Sequence, residues 1–356
     1  MVDILIIAIT IILTITVLLW LGEVRNKRSN KNSFVNTGKN SSNNGLFSKN
    51  PSDAGLFGKI TDFVDKYSSD TISGTVKIGR FHINIGYILF AVILIVGTVV
   101  RVYDFGNNPP GLNQDEASGA YDAFSLAEYG VDRNGDRFPV HLVSWGSGQN
   151  ALYAYIIIPF IKLFGLTEVT ASLGNLIFGI LTLILLFFSV KIIKNMEVAL
   201  LSTFVLAISP WHIMLSRWGL PENILPSIVM IGIFFCALSF KKPFYFLLCS
   251  AFMALSLYAY GTAYIVVPGI LLLYGLYELY FTSNKKEWFF KYTKAFLVFF
   301  TVSIPIIMFI YINVISPTTE SIKLGFMTIP KLVETGTRYK QVVFLSGDYQ
   351  NILSIL

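Results

Sequence analysis

The chain has 356 residues, 54% of them hydrophobic and only 13% charged, with a formal net charge of +6. A soluble domain carries about 25% charged residues, so a soluble enzyme is excluded and an all-α polytopic membrane protein is expected. The basic residues gather in loops of one membrane side, which argues against nucleic-acid binding.

In chain order, an apolar run at 4–21 is followed by Glu23, Arg25, Lys27, Arg28 and Lys31. A signal peptide carries its charges before the apolar region and a small-residue cleavage site after it. Here the charges follow, so residues 1–22 read as a retained anchor with an external N-terminus. Residues 23–82 are rich in Asn, Ser, Gly and Lys and read as a flexible cytoplasmic linker, with one short amphipathic helix at 56–67. Spans at 83–101, 169–190, 198–215, 223–240, 244–259, 262–281 and 295–312 then compose a seven-span module over 83–312.

Lys191, Lys194, Lys241, Lys242, Lys285, Lys286, Lys291 and Lys294 mark one side, which the positive-inside rule makes cytoplasmic. The loop 102–168 is then external, and it holds Asp104, Asp115, Glu116, Asp122, Glu128, Asp132 and Asp136 against Arg133, Arg137 and Lys162. The apolar stretch 151–164 is short for a span and contains Pro159. If it crossed, the lysines of every later loop would face outward, so it reads as a juxtamembrane or re-entrant helix on the outer leaflet. Residues 313–356 read as a further external segment, truncated before more structure. The expected location is the cell membrane, multi-pass. Cys236 and Cys249 lie in apolar spans and read as small core hydrophobes.

Chemistry concentrates in the first external loop. Asn113 is a good helix N-cap and Glu116, three residues on, completes a capping box. Ala117, Ala120, Tyr121, Phe124 and Ala127 recur at helical spacing until Gly130, predicting an amphipathic helix on the bilayer. Asp115 and Glu116 either favour that helix start electrostatically or supply a general base, Asp115 being the carboxylate the cap does not need. Trp145, Gln149 and Asn150 surround Gly146 and Gly148, which read as a backbone corner beside a sugar or phosphate, or as a hinge. The pair lacks the strand–helix context of a dinucleotide site. Between two later spans, Arg217 reads as a bridge to Glu222 or as a ligand for a lipid phosphate, with His212 about one turn deeper. Tyr258, Tyr260 and Tyr264 read as an interfacial belt.

The ordered set comprises Arg101-Val-Tyr-Asp at a span end, Pro109-Pro-Gly, Gln114-Asp-Glu-Ala, Gly119-Ala-Tyr-Asp-Ala and Asp132-Arg-Asn-Gly. It continues through Trp145-Gly-Ser-Gly-Gln-Asn-Ala-Leu-Tyr-Ala-Tyr, Leu163-Phe-Gly, Ser209-Pro-Trp-His and Ser216-Arg-Trp-Gly-Leu. Over about residues 84–356 it resembles bacterial membrane glycosyltransferases of the GT-C type, family 39-like relatives of dolichyl-phosphate-mannose-protein mannosyltransferases and aminoarabinose transferases. The resemblance implies seven spans with juxtamembrane helices in the first external loop. It implies an enzyme that moves a sugar, with inversion, from a polyprenyl-phosphate donor to an acceptor hydroxyl on the external face. Asp115 would be the base with Glu116 beside it, and Arg217 would offset charge on the leaving phosphate. Trp145, Gln149, Asn150, His212 and Glu222 would complete the substrate pocket. The acceptor is a lipid, glycan or protein. No cofactor and no metal ligands are expected, and metal dependence stays open. A transporter or flippase of lipid-linked sugars would need ionisable residues mid-span, and the spans carry almost none. A non-catalytic truncated membrane module is the other reading.

Overall fold

The structure, a computed structural model, describes residues 75–78, 81–144, 147–315 and 320–333. The expected anchor at 1–22, the helix expected at 56–67 and Trp145 lie outside the described residues. The linker expected to run to residue 82 ends in a hairpin of β1 (Thr75–Ile78) and β2 (Phe81–Asn84). Asn84 then accepts the Gly86 N–H at 2.7 Å and starts α1 (Ile85–Val102).

The elements that follow are α2 (Gln114–Tyr129), the hairpin β3 (His141–Ser144) and β4 (Ser147–Asn150), α3 (Leu152–Phe164), α4 (Glu168–Ile193), α5 (Met196–Ile208) and α6 (Pro210–Leu215). Next come a 3₁₀ turn at Pro221–Ile224, α7 (Leu225–Ser239), α8 (Tyr245–Leu255), α9 (Ala263–Phe281) and α10 (Lys285–Ile310). A small hairpin, β5 (Ile322–Leu324) and β6 (Met327–Ile329), closes the described part. Among the described residues the molecule is all-α apart from these hairpins.

Each of the seven intervals read as spans holds a helix. Five are long and apolar enough to cross a membrane: Ile85–Val102, Glu168–Ile193, Pro221–Ser239, Ala263–Phe281 and Lys285–Ile315. Two intervals differ from the expectation. The stretch 198–215 breaks into α5 and α6 at Ser209, whose extended backbone (ψ 116) is what a residue before proline adopts. The stretch 244–259 ends α8 at Leu255 and tightens into a 3₁₀ turn at Ser256–Tyr258. At 13 residues, α5 is about 20 Å long, short of the ~30 Å hydrocarbon core.

Small residues set the packing of α1. A Cβ on Gly86 would meet Met196, and one on Gly97 would fall 2.7 Å from Leu183. Phe90 stacks on Phe187 at 3.9 Å in the same seam. The helix α3 packs on α4 at Gly174, where a Cβ would be 2.9 Å from Ile157 and 3.0 Å from Tyr153. The Tyr153 hydroxyl donates to the Ala171 carbonyl at 2.7 Å. Apolar side chains of α1, α5, α9 and α10 stay exposed, as lipid-facing positions do.

Candidate active site

The site is built on α2. The Asn113 side chain accepts the Glu116 N–H at 2.9 Å, and Glu116 Oε2 accepts the Asn113 N–H at 3.0 Å, so the expected capping box forms. Gly130 ends the helix in the left-handed region, at φ 72. The expected apolar face is only in part the packed one. Of that face Ala120 is buried and Phe124 and Ala127 half-buried, but Ala117 and Tyr121 are exposed, and the packed side shifts to include Ser118, Asp122, Ala123 and Leu126.

The two adjacent carboxylates have opposite environments. Glu116 is buried, and its second oxygen, Oε1, accepts the N–H of Gly219. Both of its oxygens are therefore engaged by backbone, and its expected place among catalytic residues is corrected to a positioning one. Asp115 is exposed. Its Oδ1 accepts the Gln149 amide at 2.9 Å, and the same amide reaches the Asp115 carbonyl at 3.3 Å. Gln149 comes from β4, paired with Leu142 of β3. The glycine beside it is required there, since a Cβ on Gly148 would lie 2.4 Å from the ring of His141. Gly146 lies outside the described residues, and Gly148 belongs to a hairpin strand rather than to a hinge. His141 is buried, and desolvation holds its pKa down to about 4, so its ring is neutral.

Arg217 does not serve as expected. Its Nε donates to the Asn108 carbonyl at 2.8 Å, Nη1 to those of Tyr103 (2.7 Å) and Arg101 (3.1 Å), and Nη2 to that of Asp104 (2.9 Å). These carbonyls belong to the end of α1 and the turn that follows it. Nε, Nη1 and one Nη2 N–H are spent on backbone, so Arg217, expected as a phosphate ligand, positions the end of α1. Its neighbours continue the clamp. Asn175 of α4 donates to the carbonyls of Trp218 (2.6 Å) and Leu220 (2.9 Å). A Cβ on Gly219 would sit 2.6 Å from the Ala171 carbonyl, so only glycine fits. The Ser216-Arg-Trp-Gly-Leu motif thus ties α1, α4 and the start of α2 together, and so fixes where Asp115 points.

The remaining expected residues divide similarly. The buried His212 meets Nη2 of the fully buried Arg101 at 2.7 Å, and Arg101 also donates to Gly97, Leu206 and Ala207 carbonyls. His212 is structural. Asn150 is buried and donates to Tyr264 Oη at 3.2 Å, joining the hairpin to the first turn of α9. Glu222 is half-buried in the 3₁₀ turn.

A group not singled out from the sequence lies one turn along α2. Ser118 Oγ is 3.1 Å from Ser144 Oγ of β3 and accepts from Arg133 Nη2 at 2.5 Å. The same nitrogen reaches Asp122 Oδ2 at 3.3 Å, and the Arg133 side chain stays 24% exposed. No hydrogen bond is made by its Nε or Nη1 among the described residues. Asp115, Ser118 and Asp122 follow i, i+3, i+7 spacing on one helix face. Burial lifts the Asp122 pKa to about 6, against the opposing pull of Arg133. The arginine sits in a polar turn, Asp132-Arg-Asn-Gly-Asp, that reads from sequence as solvated.

An exposed carboxylate at the start of a buried-faced helix, beside an arginine with open donors, thus sits on a multi-pass helical membrane frame. Residues 150–309 match the protein-family model described as dolichyl-phosphate-mannose-protein mannosyltransferase. The resemblance to GT-C type membrane glycosyltransferases therefore holds, with α2 upstream of the matched residues. Among solved structures, ArnT from Cupriavidus metallidurans is similar in the apo state (15% identity, TM-score 0.49) and bound to undecaprenyl phosphate (14%, 0.49), covering 64% of this chain and 42% of that one. The apo oligosaccharyltransferase of Archaeoglobus fulgidus is similar at 12% identity and TM-score 0.48, covering 73% of this chain and 32% of that one. The chain spans about two fifths or less of the length of these proteins. No curated protein matches it.

Proposed function

We propose that the chain carries the catalytic face of an inverting glycosyltransferase that takes a sugar from a polyprenyl-phosphate donor on the external side of the cell membrane. Supporting this are the family match, whose description names a polyprenyl-phosphate-linked sugar, and the lysine distribution, which puts α2 outside. The observation that carries it is the division of labour between Asp115, which is exposed, and Glu116, which is held by two backbone N–H groups. Asp115 takes the proton of the acceptor hydroxyl as its oxygen bonds to the anomeric carbon. The bond from that carbon to the phosphate oxygen breaks, its electron pair leaves with the lipid phosphate, and the configuration inverts. Arg133 with the Ser118 and Ser144 hydroxyls receives the phosphate, about 5–6 Å along the helix from Asp115. Charge-assisted hydrogen bonds to a developing anion are the strong kind. Mannose as the sugar follows only the family description and is part of the proposal.

The test uses the full chain in detergent with a panel of undecaprenyl-phosphate sugars, following release of undecaprenyl phosphate. Asp115→Asn should lower the rate by roughly 10²–10⁴-fold, the usual contribution of a general base. A variant that keeps more than about a tenth of the rate removes Asp115 from that role.

A further inference from the structure

At the other end of the bundle, α8, α9 and α10 enclose an apolar cavity of about 330 Å³ that this reaction does not use. Leu272 and Leu276 of α9 and Phe296 of α10 line it and are themselves 63%, 52% and 62% exposed, so it opens sideways toward lipid. Its inner wall is Ser250, whose hydroxyl is tied to the Ala295 carbonyl, and Tyr292, whose hydroxyl donates to Glu278 at 3.0 Å. Trp288, stacked on Tyr292 at 4.5 Å, completes the wall.

The charge at the mouth selects the occupant. Lys285 lies three residues before Trp288 on the same side of α10, about 4.5 Å further out along the axis, and it is exposed together with Lys286. The carboxylates nearby are already engaged. Glu287 is held by Asn284 at 3.2 Å, and Glu278 takes Lys291 at 2.9 Å with Tyr274 and Tyr292. The order along one wall is therefore cation, then apolar cavity.

We infer that this cavity binds an anionic diacyl phospholipid of the lysine-side leaflet: one acyl chain between α9 and α10 and the phosphate at Lys285. The full chain would be released from micelles containing equal amounts of phosphatidylglycerol and phosphatidylcholine, and bound lipid counted by native mass spectrometry. Phosphatidylglycerol should be retained in clear excess. Lys285→Gln should cut its retention about fivefold, the weight of one lysine at an anionic surface, and leave phosphatidylcholine unchanged. Leu276→Trp, which fills the cavity from its lipid side, should abolish retention of both. Equal retention of the two lipids by the wild type, or full phosphatidylglycerol retention by Lys285→Gln, overturns the inference. So does displacement of phosphatidylglycerol by added undecaprenyl phosphate, which would assign the cavity to the donor lipid. Should the tryptophan variant misfold, the lysine arm decides alone, because that side chain is exposed.

Discussion

Two carboxylates at opposite ends of the bundle meet cations in different ways. At the lysine-rich end Glu278 is buried and accepts from Tyr274, Lys291 and Tyr292, so both its oxygens are answered. At the other end Asp115 is exposed and takes one neutral amide, while the nearby Arg133 keeps donors open. Saturated polar groups hold helices together, and unsaturated ones face something that arrives. The same rule separates Glu116 from Asp115 within a single helical turn.

The sharpest way to break the comparison is a pair of adjacent substitutions. Asp115→Asn should cost roughly 10²–10⁴ in rate with thermal stability in detergent unchanged. Glu116→Gln should instead lower stability, by about 1–3 kcal/mol for a buried hydrogen bond lost, while folded molecules keep near-normal turnover. If the two variants exchange phenotypes, saturation does not distinguish the roles. At the far end, Glu278→Ala leaves Lys291 uncompensated. Removing one partner of a buried pair costs about 3–5 kcal/mol, and the lower end applies because Lys291 is 25% exposed. Denaturation in detergent should show that loss with turnover per folded molecule intact. Arg133→Lys comes next. It keeps the charge but loses the fork, so transfer should fall about tenfold, in line with one charge-assisted hydrogen bond, with donor affinity falling in parallel. An unchanged donor affinity would mean that Arg133 serves only to neutralise Asp122.

What was legible in the sequence was local. The Asn113 cap, the Glu116 box and the Gly130 stop depend on residues three or four apart, and all three form. The helical intervals followed from hydrophobic length, and the break at Ser209 was missed although Pro210 announces it. The roles of Arg217, His212 and Asn150 were not legible, because their partners lie roughly a hundred residues away in sequence. Arg217 looked like a lone external cation, and only the fold shows that the end of α1 surrounds it. Arg133 was hidden for the opposite reason, since a charged residue in a polar turn gives no sign of leaning on a helix face. A retrospective signal exists in the i, i+3, i+7 series Asp115, Ser118, Asp122, of which Ser118 and Asp122 are buried polar groups on α2 and Asp115 is the exposed first member.

That series supplies the smallest expected effect. Asp122 is buried against Arg133, and desolvation raises its pKa from 3.8 to about 6. A carboxyl that holds its proton more tightly when folded adds stability below its unfolded pKa and loses it as pH rises through the folded value. The wild type should therefore lose stability between about pH 4 and pH 6 from this group. Asp136, also raised by burial and by Asp132, contributes in the same direction. Asp122→Asn keeps an oxygen to accept the Arg133 backbone N–H, now 3.2 Å from Oδ1, and carries no charge to bury. Its melting temperature in detergent should fall less steeply over that interval than the wild type's, with the Asp136 share remaining. If the two curves stay parallel, or if the wild type gains stability as pH rises from 4 to 6, the ion pair with Arg133 outweighs burial. Arg133 would then belong with the saturated groups, and the phosphate would have to be held elsewhere on the α2 face.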